Sequence, residues 1–293
     1  MKALIIAEHA AAAAELVAGA RTMADEVVAI SFGGAYECGA DKVLNITVPE
    51  GLTVDSAVET VNAAFDAENP EVVLVEACRH MKVIAGSLAF HADTAVITDV
   101  TAFEAAGAKS MYFGGIAERV QKAAGNVAIY TIGAGVFDGA EGANGSVAEQ
   151  EWVAPARPVK VVSSQVIEKS GVNLFKADVV VAAGRGFAEE SQLSMANDLC
   201  DKLGAGLACS RPLTEGVNWL PTERYVGVSG LMLTPKAYIA VGISGQMQHM
   251  VGCNRSGAIF AINKDKNAPI FKQCDFGLIG DIKDVLPAIT AAL

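Results

Sequence analysis

The residues best equipped for chemistry lie in one stretch, "YIAVGISGQMQHMVGCNRSGAIFAINKDKNAPIF", from Tyr238 to Phe271. An apolar run there breaks into Gly-Ile-Ser-Gly, and Ser244, Gln248 and the lone histidine His249 follow. A second apolar run then ends at Asn263. Ser244 can cap a short helix whose exposed N–H groups would face an anion, and the glycines would let a ligand approach the backbone. His249 reads two ways, as a satisfied core histidine or as a group presented to that ligand. Two similar groups close other apolar runs: Gly184-Arg185-Gly186 after "ADVVVAA", and Ser210-Arg211-Pro212 after "GLAC". The first is half of a dinucleotide fingerprint without its third glycine, and equally a tight strand-to-helix turn. Arg211 can pair with a phosphate, lie beside an electron-rich ring, or join a surface ion pair. "CDFGLIGD", with Asp281 at its end, reads as a turn.

The elements that must position these groups alternate between strand and helix. "ALIIAE", "EVVAISF", "EVVLVEA" and "TAVITDV" read as buried strands. Between them Leu16, Ala20 and Met23, then Val54, Val58, Val61 and Phe65, then Ile84, Leu88 and His91 recur at helical spacing. Asn69-Pro70 should stop the middle helix. From Ser110 to Phe137 the chain turns to extended segments around Gly114-Gly115. In the second half Met195, Leu199 and Leu203 mark a helix with Gly204 near its end. The expected fold class is α/β with two domains, each a parallel-type sheet flanked by helices. The boundaries fall at 1–165 and 172–293, within an extended connection "EWVAPARPVKVVSSQVIEKSGVNL" from Glu151 to Leu174. Arg185, Ser210, Ser244 and Asn263 all follow strands, and open parallel sheets bind ligands at their carboxyl ends.

Composition narrows the function. The 293 residues are 52% hydrophobic and 19% charged, with a net charge of -11. That balance, with no Lys/Arg-rich block, excludes nucleic acid as the partner. No apolar run is long enough for a membrane span. "MKALIIAEHA" reads as a first strand rather than a signal peptide, so a cytoplasmic protein is expected. Six cysteines without a C-x-x-C pair read as buried thiols, and four histidines without ligand spacing predict no metal site.

The run "AAGRG … ACSRP … ERYVGVSG … YIAVGISGQMQHMVG … AINKDKNAPIF … DFGLIGDI" strongly resembles the C-terminal FAD domain of electron transfer flavoprotein alpha subunits. "SRPLTEGVNWLPTERYVGVSGLML" is nearest to the FixB-like branch associated with anaerobic acyl-CoA reduction. The first half matches more loosely, through "VITDVTAF" and "MYFGGIA", and reads "CRHMKVIAG" where many relatives carry a Gly-Arg pair. The resemblance implies a Rossmann-like second domain holding one FAD and a heterodimer with a beta subunit. It implies electron exchange with acyl-CoA dehydrogenases or reductases and a membrane-associated quinone oxidoreductase or ferredoxin-type partner. No substrate-transforming catalytic site is expected in such a carrier.

Carried over by position, Arg185 and Ser210 would hold the FAD, with Arg211 over the isoalloxazine ring. Val226, Gly227, Val228 and Ser229 match the loop that passes the ring. Ser244, Gly245, Gln246, Met247, Gln248 and His249 would line the flavin and its phosphates. Asn263, Asp281 and Ile282 would meet the adenosine end. Many relatives carry glutamine and threonine where this chain has Val228 and Ser229. His249 would place a positive or hydrogen-bonding group at the ring's N1/O2 edge. The competing readings are a nucleotide-binding α/β enzyme, which lacks a P-loop here, and a flavin-free binding module on the same fold.

Overall fold

In a computed structural model of the chain, the structure describes residues 1–139, 142–165 and 172–293. These residues cluster into two compact units. One comprises Met1–Tyr112 and the chain continuing from Glu118; the other comprises Phe113–Ala117 and the C-terminal part of the chain.

The first unit opens with β1 (Lys2–Ile6), α1 (Ala10–Arg21), β2 (Glu26–Phe32) and β3 (Lys42–Ile46). It continues through α2 (Val58–Glu68), β4 (Val72–Glu76), α3 (Arg79–His91) and β5 (Val96–Glu104). Then come β6 (Gly107–Tyr112), β7 (Ala117–Gln121), β8 (Ala128–Ile132) and β9 (Ser146–Glu149). Its sheet runs in the order β7-β6-β5-β8-β4-β1-β2-β3-β9. β5 and β6 pair antiparallel, while β1, β2, β3, β4, β8 and β9 form parallel ladders.

Strand β1 shows why this sequence makes a three-layer unit. Ala3 and Ile5 pack on one face with Leu16, Val17 and Ala20 of α1. Leu4 and Ile6 pack on the other with Val61 of α2 and Ile84 and Leu88 of α3. Each fully buried branched aliphatic side chain contributes about 1.5–3 kcal/mol relative to exposure, so a strand apolar on both faces demands helices on both sides. Asn69 ends α2 in the left-handed conformation, at φ 47°, which asparagine tolerates better than most residues, and Pro70 follows the stop.

The second unit contains β10 (Val179–Ala183), α4 (Leu193–Leu203), β11 (Gly206–Cys209) and α5 (Pro212–Glu215). They are followed by β12 (Ala237–Val241), α6 (Met247–Met250), β13 (Ala258–Asn263), β14 (Phe276–Ile279) and α7 (Ile282–Ala292). The order is β11-β10-β12-β13-β14, all parallel. Leu199 of α4 and Leu286 of α7 cover one face, over Val181, Val241 and Ile262. The opposite face, with Val180, Tyr238 and Ala240, lies under Val226, Leu233, Met250 and Ile270.

Two sequence expectations are corrected. The segment after Glu151 is not a free connection: Trp152 packs into the first unit's core, and Val153 exchanges hydrogen bonds with Thr60. Val159 bonds in the same way with Ser56, and Val161 N–H donates to the Gly51 carbonyl. Its extended backbone needs hydrogen-bond partners, and the first unit supplies them. The rest of that expected connection, residues 166–171, lies outside the described residues. "DFGLIGD" is a strand as well as a turn, since β14 pairs in parallel with β13.

Candidate functional site

In the second unit, successive elements leave the β10–β12 pair in opposite lateral directions, first to β11 and then to β13. A crevice opens at such a switch point, outside the strands' carboxyl ends. Gly184 N–H donates to the Val241 carbonyl at 2.8 Å, and Gly186 N–H to the Gly242 carbonyl at 2.9 Å. A Cβ on Gly186 would stand 2.5 Å from Gly242 Cα, and one on Gly242 would stand 2.7 Å from Gly186 Cα. Gly242 also has φ +64°. The Gly-x-Gly seen in the sequence therefore serves backbone-to-backbone packing across two strand ends.

Above these glycines lies a cleft of about 850 Å³, within the usual range for a small-molecule or cofactor site. Of the residues singled out in the sequence, Arg185, Ser210, Arg211, Val228, Ser229, Ser244, Gln246, Gln248, His249 and Asn263 line it. The arginines bring positive charge and the backbone-rich loops bring donors, which suits a phosphate-bearing ligand. Arg211 is exposed, and its Nε donates to Glu215 Oε2 at 2.6 Å; the carboxylate raises the guanidinium pKa.

Other residues fall elsewhere. Val226, Gly227 and Gly245 are buried behind the wall, and Met247 is exposed outside it. Val226 N–H donates to the Cys209 carbonyl and Val228 N–H to the Gln248 carbonyl, so this loop is laced to both neighbours. Asp281 and Ile282 do not reach the cleft. Asp281 instead caps α7, accepting from Lys283 N–H at 3.0 Å, and Ile282 is buried under that helix's core face. Ser244 does not cap α6. That position belongs to Gln246, because left-handed turns at Gly242 and Gly245 carry the chain past Ser244 before the helix begins.

Two polar side chains hold the loops in place. Asn263 Nδ2 donates to the Ile243 carbonyl at 2.9 Å, tying the β13 end to the β12 loop. Ser229 and Tyr225 share a hydroxyl–hydroxyl bond of 3.2 Å. Tyr225, Glu215 and Asp265 also line the cleft and carried no signal in the sequence.

His249 is the most informative residue. It is 8% exposed, and its Nε2 lies 3.0 Å from the hydroxyl of Tyr238, a fully buried residue of β12. Burial lowers the His249 pKa to about 4, with the nearby Val226 carbonyl acting weakly in the other direction. The ring is thus neutral at pH 7, and of the two groups considered from sequence it supplies a hydrogen bond rather than a charge. Its Nδ1 is buried and has no partner of hydrogen-bonding geometry. A buried imidazole nitrogen without a full hydrogen bond is costly, and here the Val226 carbonyl meets the ring without good geometry. The arginines and the glycine-bounded strand ends of the lining are the features by which this cleft fits a phosphate-bearing group.

Comparison with known proteins agrees with that geometry. A family model described as the electron transfer flavoprotein FAD-binding domain matches residues 173–254. A second, described as the electron transfer flavoprotein domain, matches residues 3–157. Protein FixB of Escherichia coli O157:H7 is 39% identical over 293 residues, covering 95% of this chain and 94% of that protein. Protein FixB of Shigella flexneri is similar to the same degree over the same shares.

Proposed function

Since this chain belongs to the electron transfer flavoprotein alpha family and carries its FAD-binding domain, we propose that the β10–β12 cleft holds the FAD. Arg185, Ser210 and the Ser244–Gln248 loop would hold its phosphates and flavin, with Arg211, Val228, Ser229 and His249 around the ring. Asn263 and the β14 end, with Asp281 and Ile282, would receive the adenosine half. Bound FAD supplies one-electron transfer; the chain supplies position and polarity.

The observation that carries this reading is the cleft at the carboxyl ends of β10 and β12, with Arg185, Arg211 and His249 in its lining. The Tyr238 hydroxyl has a pKa raised well above its usual value by burial, so it keeps its proton. Donating that hydrogen to Nε2 would leave the imidazole proton on Nδ1 and keep the ring a neutral hydrogen-bonding group beside bound FAD. His249→Ala should lower the potential for uptake of the first electron in a redox titration and leave the FAD-to-protein ratio near one. An unchanged potential would make His249 a core residue only. Release of FMN or a nicotinamide nucleotide on denaturation would overturn the cofactor assignment.

The same reading covers the partner. Strand β14 is the exposed edge of its sheet and carries Phe276, Leu278 and Ile279, which are 60%, 45% and 62% exposed. Such an edge suits cover by another chain. We assign that role to a beta subunit, in a cytoplasmic complex exchanging electrons with acyl-CoA dehydrogenases or reductases and a quinone- or ferredoxin-linked acceptor. The domain limits would be 1–165 and 172–293. Co-expression with the beta subunit should give a 1:1 yellow complex; a lone chain that stays monomeric and ignores added beta subunit would contradict it. No described helix is long and apolar enough to cross a membrane.

A further inference from the structure

The first unit has its own switch point, between β4 and β1, and its contents differ in kind. Glu8 and His9 follow β1, Glu76 ends β4, and Cys78 and His80 open α3. Metal-ligating atoms of Glu8, His9 and Cys78 all lie within 4.8 Å of one another. His80 Nδ1 is 2.9 Å from Glu8 Oε1, and Cys78 Sγ is 3.3 Å from Glu8 Oε2.

We propose that Glu8, His9, Cys78 and His80 form a binding site for a transition-metal dication of the Zn2+ type. Thiolate, imidazole and carboxylate together are the donor set such an ion takes, four at a time and tetrahedrally. The surroundings fit this use better than a plain ion-pair cluster. His9 Nδ1 is held 2.7 Å from Glu76 Oε1, which leaves its Nε2 available. Glu76 Oε2 accepts the backbone N–H groups of Glu8 and His9, at 2.8 and 3.1 Å. A carboxylate that fixes one imidazole nitrogen while the other binds is the usual support behind a metal-bound histidine.

Neither Glu8 nor Glu76 has a lysine or arginine ion pair among the described residues. Two carboxylates converge there with imidazole, thiol and, for Glu76, two backbone N–H partners, so a dication would meet net negative charge that no lysine or arginine among the described residues offsets. A thiol that coordinates a dication is deprotonated by it. On binding, the Cys78 S–H bond breaks, the S–Zn bond forms, and the proton passes to the buffer. No electron moves. The ion would join the ends of β1 and β4 to the start of α3, where this sequence reads "CRHMKVIAG".

The test uses the full-length, flavin-loaded protein after removal of metals, titrated with Zn2+ in a calorimeter. The expected result is one Zn2+ per chain, with release of about one proton at pH 7 seen as buffer-dependent heat. Cys78→Ser, His9→Ala and His80→Ala should each weaken binding at least tenfold without changing flavin content. His91→Ala should not; His91 sits at the other end of α3, about 17 Å away along the helix, paired with Asp66. Should one variant fold poorly, the exposed His9→Ala still decides the matter. Binding that is absent, carries no proton release, or survives the three substitutions overturns the proposal.

Discussion

Where β10 and β12 part, glycines bring backbone against backbone and leave a cleft above. Where β1 and β4 part, two glutamates, two histidines and a cysteine fill the corresponding position with side chains. The topology is the same device twice, a parallel sheet whose order reverses. The residues placed at the reversal decide what can enter. Removing Cβ atoms makes room for a large, flat ligand. Crowding the point with titratable groups leaves space for an ion.

Substitutions at the two points should separate these designs. The largest effect is expected from Gly242→Ala, which forces a Cβ into Gly186 at a positive φ. We expect a loss of more than about 3 kcal/mol and of flavin, measured by urea unfolding and absorbance. A stable, yellow variant would show that the glycine contact does not set the cleft.

Acid titration comes next. The folded chain resists protonating His249 until about pH 4, whereas the unfolded chain takes up the proton near 6.5. The contribution of the neutral ring is therefore fully present above pH 6.5 and is lost as pH falls toward 4. The loss is about 3 kcal/mol. His249→Gln should flatten the unfolding free energy across that window, and a parallel pair of curves would show that the ring is not neutral by burial.

Tyr238→Phe should cost about 1–3 kcal/mol, since it leaves His249 Nε2 buried without its donor. It should also shift the first flavin potential in the same direction as His249→Ala. Stability lost without any shift would make Tyr238 a packing residue alone. The smallest change is expected at the other switch point. His9→Ala removes an exposed imidazole and should alter metal-free stability by less than about 1 kcal/mol. A larger loss would mean that the cluster holds the fold together by itself.

How much of this was legible in sequence depended on distance along the chain. Strands such as β12 and helices such as α4 announce themselves because their apolar spacing is local. The cleft residues Arg185, Ser210, Ser244 and Asn263 could be grouped because each follows a strand. Tyr238 could not be, since a tyrosine in an apolar run looks like core until its hydroxyl finds His249. The β1–β4 cluster was invisible for the same reason: Glu8 and His80 are 72 positions apart. Their meeting depends on β4 returning to the far side of β1, which no ligand spacing records. Asp281 shows the other limit. Its sequence context read as a turn and only the family resemblance implied an adenosine contact; the structure adds that its carboxylate caps α7.

The exposed edge at β14 makes abundance a structural variable. A parallel edge strand, paired on one side and apolar, is a template for strand addition, and a second copy could use it as readily as the proposed subunit. Asp275 stands just before the strand and Asp281 just beyond it. In-register stacking of copies would bring like charges together at both ends, a brake on self-assembly. That brake weakens as salt rises or as carboxylates protonate. If a beta subunit covers this edge as proposed, stoichiometric synthesis of the two subunits would protect this chain by mass action, because each covered edge is one fewer seed for aggregation.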